Sequence, residues 1–270
     1  AGIEIGLFIL QSKMADKAES TIPIISDSSR RKELGNRESL GWWFIEMISI
    51  FTNICNLCIF IRGIDIFVFM TPIEHPLRKQ RLIAGLDEAG RGCLAGPVVA
   101  AAVVLPPGFM DSELNDSKQI TEARRDYLRR KIEIESLSFA VAFVFPERID
   151  LINILRSSIE AMHVAIDNLS LTPELLIVDG NQFYPYKNVP HECVIKGDGR
   201  YLSIAAASIL AKTYRDEYMK EQHFKYPIYG WERNKGYPTA EHRQGIVTNG
   251  ACHLHRKSFR LLHAEQMEIF

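Results

Sequence analysis

From Leu82 onward, short apolar runs alternate with longer segments of helical spacing. Residues 82–86 read as a strand ending at Asp87-Glu88, with Gly90-Arg91-Gly92 next. Residues 98–105, after Gly96-Pro97, read as a buried strand, and residues 137–145 as another. Residues 175–178 and 192–195 predict two short strands, which run into Asp179-Gly180-Asn181 and Lys196-Gly197-Asp198-Gly199. Residues 121–133 predict a polar helix with Thr121 as its N-cap. Residues 155–169 carry helical apolar spacing, and residues 201–224 and 239–248 predict a long Ala-rich helix and a further one. Strands alternating with helices imply a layered α/β domain over residues 81–270.

Residues 1–80 follow no such rule. The first forty are mixed and polar without a sustained period. Residues 42–70 are rich in aromatic and β-branched side chains, but the uncharged stretch 47–61 is only fifteen residues long. A membrane helix needs ~20, and Glu46, Arg62 and Asp65 bound or interrupt the run. A signal peptide would place its charged and apolar parts nearer the start. A membrane anchor, an accessory region and non-native sequence upstream of a start at Met70 are the three readings. The third is adopted, so residues 1–80 are expected to be a non-native or poorly ordered extension and no membrane partner is expected.

The net charge of the 270-residue chain is -1, so any polyanion partner must meet a local basic face. Residues 196–260 hold twelve Lys or Arg against six Asp or Glu, a surplus compatible with such a partner. Five cysteines make an odd, sparse set, which argues for a reducing, cytoplasmic setting. Cys55 and Cys58 form a lone C-x-x-C, and structural zinc needs four ligands.

The chemistry is carried by acids. Asp87-Glu88, Asp179 and Asp198 each follow an apolar run and border glycine. Carboxylates brought to one sheet edge repel unless cations neutralise them, and all-oxygen donors suit Mg²⁺ or Mn²⁺. Two such ions activate water and stabilise a leaving oxygen in phosphodiester hydrolysis. Neighbouring strand residues face opposite ways, so Asp87 and Glu88 are expected to share a site only if the strand breaks between them. Asp216 is a rival ligand, but Lys212 and Lys220 at helical spacing explain it as an ion-pair face. His242, His253 and His255 lack ligand spacing and are expected in packing or surface roles, with His255-Arg256 supporting the C-terminal element. Gly90-Arg91-Gly92-Cys93-Leu94-Ala95 formally matches a dinucleotide-binding turn. It is set aside because acids precede it and a strand, not a helix, follows.

These residues resemble ribonuclease HII, of the type 2 ribonuclease H family. The likeness rests on Gly85 to Gly92 with Ala95-Gly96-Pro97-Val98, then Leu114-Asn115-Asp116-Ser117-Lys118, Val178-Asp179-Gly180-Asn181 and Lys196-Gly197-Asp198. It continues through Ala205 to Lys212, Arg215-Asp216, Lys235-Gly236-Tyr237-Pro238-Thr239, His242 and His255-Arg256-Lys257-Ser258-Phe259. It covers the chain from about Leu82 onward. The resemblance implies a ribonuclease H-like α/β fold, with a mixed sheet flanked by helices and a helical C-terminal part. It implies endonucleolytic cutting of RNA in RNA–DNA hybrids and at ribonucleotides embedded in duplex DNA, leaving 5′-phosphate and 3′-hydroxyl ends. It places the catalytic metal ligands on Asp87, Glu88, Asp179 and Asp198, for two Mn²⁺ or Mg²⁺ ions. Gly90, Arg91 and Gly92 become the turn that reads the ribose 2′-hydroxyl, and Tyr237 the residue that senses the junction. Asn115, Ser117, Lys118 and Lys196 are expected phosphate contacts. Pro238 stands where the family has Gly or Ala, and is expected to stiffen the turn holding Tyr237. A monomer is expected. The rival functions are a hybrid-binding module that does not cut, against which the acids weigh, and a nucleotide-dependent oxidoreductase.

Overall fold

The computed structural model describes residues 9–11, 73–79, 81–111, 114 and 120–262. The expectations for residues 15–70, including Cys55 and Cys58, and those for Asn115, Ser117 and Lys118 lie outside the described residues.

The strands are β1 (Ile9–Gln11), β2 (Ile83–Ala89), β3 (Val98–Val104), β4 (Ser138–Val144), β5 (Leu175–Asp179) and β6 (His191–Val194). They form one sheet in the order β1-β4-β3-β2-β5-β6. β2 pairs antiparallel with β3 and parallel with β5, and β5 is parallel to β6. The sheet is therefore mixed, and the C-terminal ends of β2, β5 and β6 open on one edge.

The helices are α1 (Glu122–Glu135), α2 (Pro146–Ile152), α3 (Ile154–Asp167), α4 (Leu202–Lys225), α5 (Trp231–Asn234) and α6 (Ala240–Asn249). β3 reads Val-Val-Ala-Ala-Ala-Val-Val and is buried along its whole length, because helices cover both faces. On one face Val99, Ala101 and Val103 pack with Leu128 and Ile132 of α1 and Ala205 to Ala207 of α4. On the other, Ala100 and Ala102 pack with Ile159 and Met162 of α3. Small residues let α4 come close to the sheet. A Cβ on Gly85 would lie 2.2 Å from the Ser203 carbonyl carbon, so strand and helix backbones touch there. α1 is otherwise polar and is held mainly by Leu128 and Ile132, each worth about 1.5–3 kcal/mol of burial.

Two local expectations change, and one unexpected cap appears. Thr121 holds the N-cap position of α1 but its side chain makes no capping bond. Thr239 does cap its helix, accepting from the His242 N–H at 3.2 Å. β2 does not end before Asp87: Asp87, Glu88 and Ala89 pair with Ala101, Ala100 and Val99. No helix among the described residues is long and apolar enough to cross a membrane.

Candidate active site

The unbroken strand corrects the expectation that β2 must break between its two acids. Ile83 and Ala89 pack on the α4 side and Ala84 and Leu86 on the α3 side, so alternation puts Asp87 toward α4 and Glu88 toward α3. Asp179 brings them into one site. The last parallel pair is Leu86 with Val178, so Asp87 and Asp179 are the next residues on adjacent strands. The site straddles the end of the sheet instead of lying on one face.

The electrostatics follow from that placement. Burial holds the Asp87 carboxyl well above its ordinary range, and the charges of Glu88 and Asp179 push it the same way. The Ser208 hydroxyl of α4 and the Glu88 N–H, 2.7 Å from Asp87 Oδ1, oppose that rise. Burial also raises Glu88, against the Arg91 guanidinium at 3.1 Å. Three carboxylates share a site with one partly exposed arginine. That is the arrangement a divalent cation would relieve.

Asp198 stands in a 3₁₀ turn, Gly197–Gly199, directly after β6. Gly197 N–H donates to Asp179 Oδ1 at 2.7 Å, which ties this turn to the acidic edge. Asp198 is buried, and its Oδ1 accepts from Gly199 N–H at 3.0 Å. Among the described residues, no three His, Cys, Asp or Glu side chains are close enough together to hold a metal ion as they stand. The acids are gathered by strand register and by the Gly197–Asp179 contact, against their mutual repulsion, and their all-oxygen donor set fits a hard divalent ion. Asp216 is spoken for: Lys212 Nζ lies 2.7 Å away and Arg125 3.9 Å, while Lys220 pairs with Glu122 instead.

The glycines of the following turn have different duties. Gly90 has φ +96°, and a Cβ there would sit 2.0 Å from Arg215 Nε. Gly92 would meet nothing within 4 Å, so its outer side is open. Arg91 is half exposed and lines a cleft with Glu88, Asp179, Gly180 and Asn181. Lys196 is exposed with φ 54°. The strand β3, not a helix, follows the turn, which removes the structural basis for dinucleotide binding.

Tyr237 is 41% exposed, with Lys212 Nζ 5.7 Å and Arg215 Cζ 5.9 Å from its ring centre. Burial of its inner side raises its hydroxyl pKa, and Cys93 beside it acts in the same direction. A Cβ on Gly236 would lie 2.6 Å from the Ala95 carbonyl oxygen, so this loop presses against the one after β2. Arg215 is fully buried between them and donates to the carbonyls of Pro97, Lys235 and Ala95 at 3.0, 2.9 and 3.1 Å.

Ser208 and Arg215 are not marked as site residues by the sequence pattern alone. A lone serine on the buried face of an Ala-rich helix, about two turns before an arginine, is the available signal.

A family model described as Ribonuclease HII matches residues 84–262. A ribonuclease HII of Bacteroides thetaiotaomicron is 58% identical over 193 residues, 72% of this chain and 96% of that relative. One of Parabacteroides distasonis is 59% identical over the same shares of the two chains. Among solved structures, the ribonuclease H2 from Pyrococcus horikoshii OT3 superposes with a TM-score of 0.58 at 26% identity, covering 69% of this chain and 97% of that one.

Proposed function

Starting from the fact that the chain belongs to the ribonuclease HII family, we propose that it hydrolyses the RNA strand of RNA–DNA hybrids and cuts at ribonucleotides embedded in duplex DNA. The family makes it a metal-dependent ribonuclease. The observation that carries the finer reading is the meeting of Asp87, Glu88 and Asp179 at one sheet end, beside an exposed Arg91 and the open side of Gly92.

Asp87, Glu88, Asp179 and Asp198 are the residues that would hold two Mg²⁺ or Mn²⁺ ions, which supply Lewis-acid stabilisation of the attacking and leaving oxygens. The remaining work belongs to the chain. Backbone groups of residues 90–92 approach the ribose and read its 2′-hydroxyl, which the open side of Gly92 permits. Arg91 grips a neighbouring phosphate. Tyr237 stacks at the junction between ribose and deoxyribose. Lys196, with Asn115, Ser117 and Lys118, holds more distant phosphates and sets register. The products carry 5′-phosphate and 3′-hydroxyl ends. The proposal includes a cytoplasmic monomer, with Cys93, Cys193 and Cys252 as free thiols.

The test is incubation with a DNA duplex carrying one ribonucleotide, with and without Mn²⁺, followed by end-group analysis. Expected is metal-dependent cutting at the ribonucleotide to give those ends. Metal-independent cutting, or 2′,3′-cyclic phosphate products, would sink the reading.

A further inference from the structure

Leu254, His255 and Arg256 are remote in sequence from the acids, yet they hold the loop after β2. Gly96 N–H donates to the Leu254 carbonyl at 2.8 Å and Arg256 N–H to the Leu94 carbonyl at 2.9 Å. The Arg256 guanidinium donates from Nε to the Gly96 carbonyl and from Nη1 to the Arg91 carbonyl, both at 3.0 Å. The same segment reaches Tyr237. Cys252 N–H donates to His255 Nδ1 at 3.0 Å, and His255 Nε2 lies 3.1 Å from His242 Nε2. His242 Nδ1 is 2.9 Å from the Tyr237 carbonyl oxygen. The order of donors follows from chemistry. A carbonyl only accepts, so His242 Nδ1 carries the proton and its Nε2 accepts from Trp231 Nε1–H at 3.0 Å and from His255. Both imidazoles are neutral and every ring nitrogen is engaged.

The bond to Arg91 also sets a direction. No cis peptide occurs among the described residues, so the trans Arg91–Gly92 peptide points its N–H opposite to its carbonyl. With that carbonyl turned inward to Arg256, the Gly92 N–H points away from Arg256, and Gly92 itself is exposed. Arg256 is an expensive way to obtain stability alone. It is wholly buried, and its Nη2 has no hydrogen-bond partner among the described residues. Buried charges of this kind contribute little net stability compared with apolar side chains.

We propose that Arg256 and the His242–His255 pair are positioning residues that fix the Gly92 N–H and Tyr237 relative to one another, and so set the preference for a single ribonucleotide over a continuous hybrid. This rests on the nuclease reading above. A lone ribonucleotide must satisfy the turn and Tyr237 at once, whereas a continuous hybrid offers a 2′-hydroxyl at every register.

The test measures kcat/KM on a duplex with one ribonucleotide and on a uniform RNA–DNA hybrid, with Mn²⁺, for wild type, Arg256→Met, His242→Leu and His242→Asn. Asn keeps an N–H donor where His242 Nδ1 stands. Expected is about a tenfold larger loss on the single ribonucleotide than on the hybrid for Arg256→Met and His242→Leu. His242→Asn is expected to restore the wild-type ratio. Equal loss on both substrates, tracking a fall in melting temperature, overturns the proposal and leaves the nuclease reading standing. If Arg256→Met does not fold, the Leu and Asn variants of His242 decide by the same ratio. Wild-type protein that cuts neither substrate overturns the nuclease reading and this proposal with it.

Discussion

Asp87 and Glu88 sit on a strand whose pairing partners are the fully buried Ala101 and Ala100. Tyr237 sits on a loop pinned by side chains that bond to backbone, chiefly from Arg215 and His242. At the acidic edge, rigidity comes from a sheet that would be well packed whatever its terminal residues were, so like charges can be forced together at a cost in stability. Around Tyr237, rigidity comes from the polar groups themselves, so removing one frees a loop. Substitutions at the first region should therefore trade activity for stability, and those at the second should lose both.

The sharpest contrast is expected from Asp87→Asn. Activity should fall by at least about 10³-fold, roughly 4 kcal/mol of barrier. The metal-free protein should melt higher than wild type, since a neutral isostere removes a buried charge beside Glu88 and Asp179. Thermal melts in EDTA check this, and a lower melting temperature would show that the acids are not in conflict.

Gly90→Ala comes next, with an expected stability loss of about 3 kcal/mol. It combines a positive φ with a clash against buried Arg215. Denaturant unfolding measures it, and a loss below that of an ordinary surface change would contradict the packing described here.

The histidine pair gives a pH dependence of comparable size. Burial, with His242 alongside, pushes His255 down to about 4 from its ordinary 6.5. The unfolded chain therefore binds a proton between these values that the folded chain refuses. Its contribution is complete above pH 6.5 and is lost as pH falls toward 4, on the order of 3 kcal/mol in total. His255→Gln should flatten the stability curve across that window, as urea titrations at several pH values would show.

The smallest effect expected is that of Gly92→Ala. A Cβ there meets no protein atom, so stability should stay within about 0.5 kcal/mol of wild type. Hybrid affinity should fall about tenfold, near 1.4 kcal/mol, because the methyl occupies the open side facing substrate. Fluorescence anisotropy with labelled hybrid in Ca²⁺ would measure it. Unchanged affinity would move the 2′-hydroxyl contact away from this turn.

Much of the fold could be read in advance because apolar periodicity is a local property. The strand of residues 98–105 and the Ala-rich helix fall within a residue or so of β3 and α4. Helix α2 escaped notice because it is seven residues long with only Pro146 and Ile149 buried, too short for a period to show. The acids were legible as a group, since each follows an apolar run. The continuation of β2 through Asp87 was not, because the packing of Ala89 against the α4 face overrides the local tendency of adjacent acids to end a strand. Ser208, Arg215 and the His242–His255 contact belong to tertiary structure. His242 and His255 are thirteen residues apart and meet only because α5, α6 and the loop at Cys252 fold around Trp231. No spacing rule brings them together.

Calorimetric titration of Mn²⁺ into wild type and Asp179→Asn, with cleavage of the single-ribonucleotide duplex followed on the same samples, tests the central claim most directly. Expected is Mn²⁺ binding by wild type that weakens at least about tenfold in the variant, with cleavage abolished and the melting temperature no lower than that of wild type. An Asp179→Asn protein that binds Mn²⁺ as wild type does and still cuts would contradict the assignment of the acidic sheet end as the metal-dependent centre.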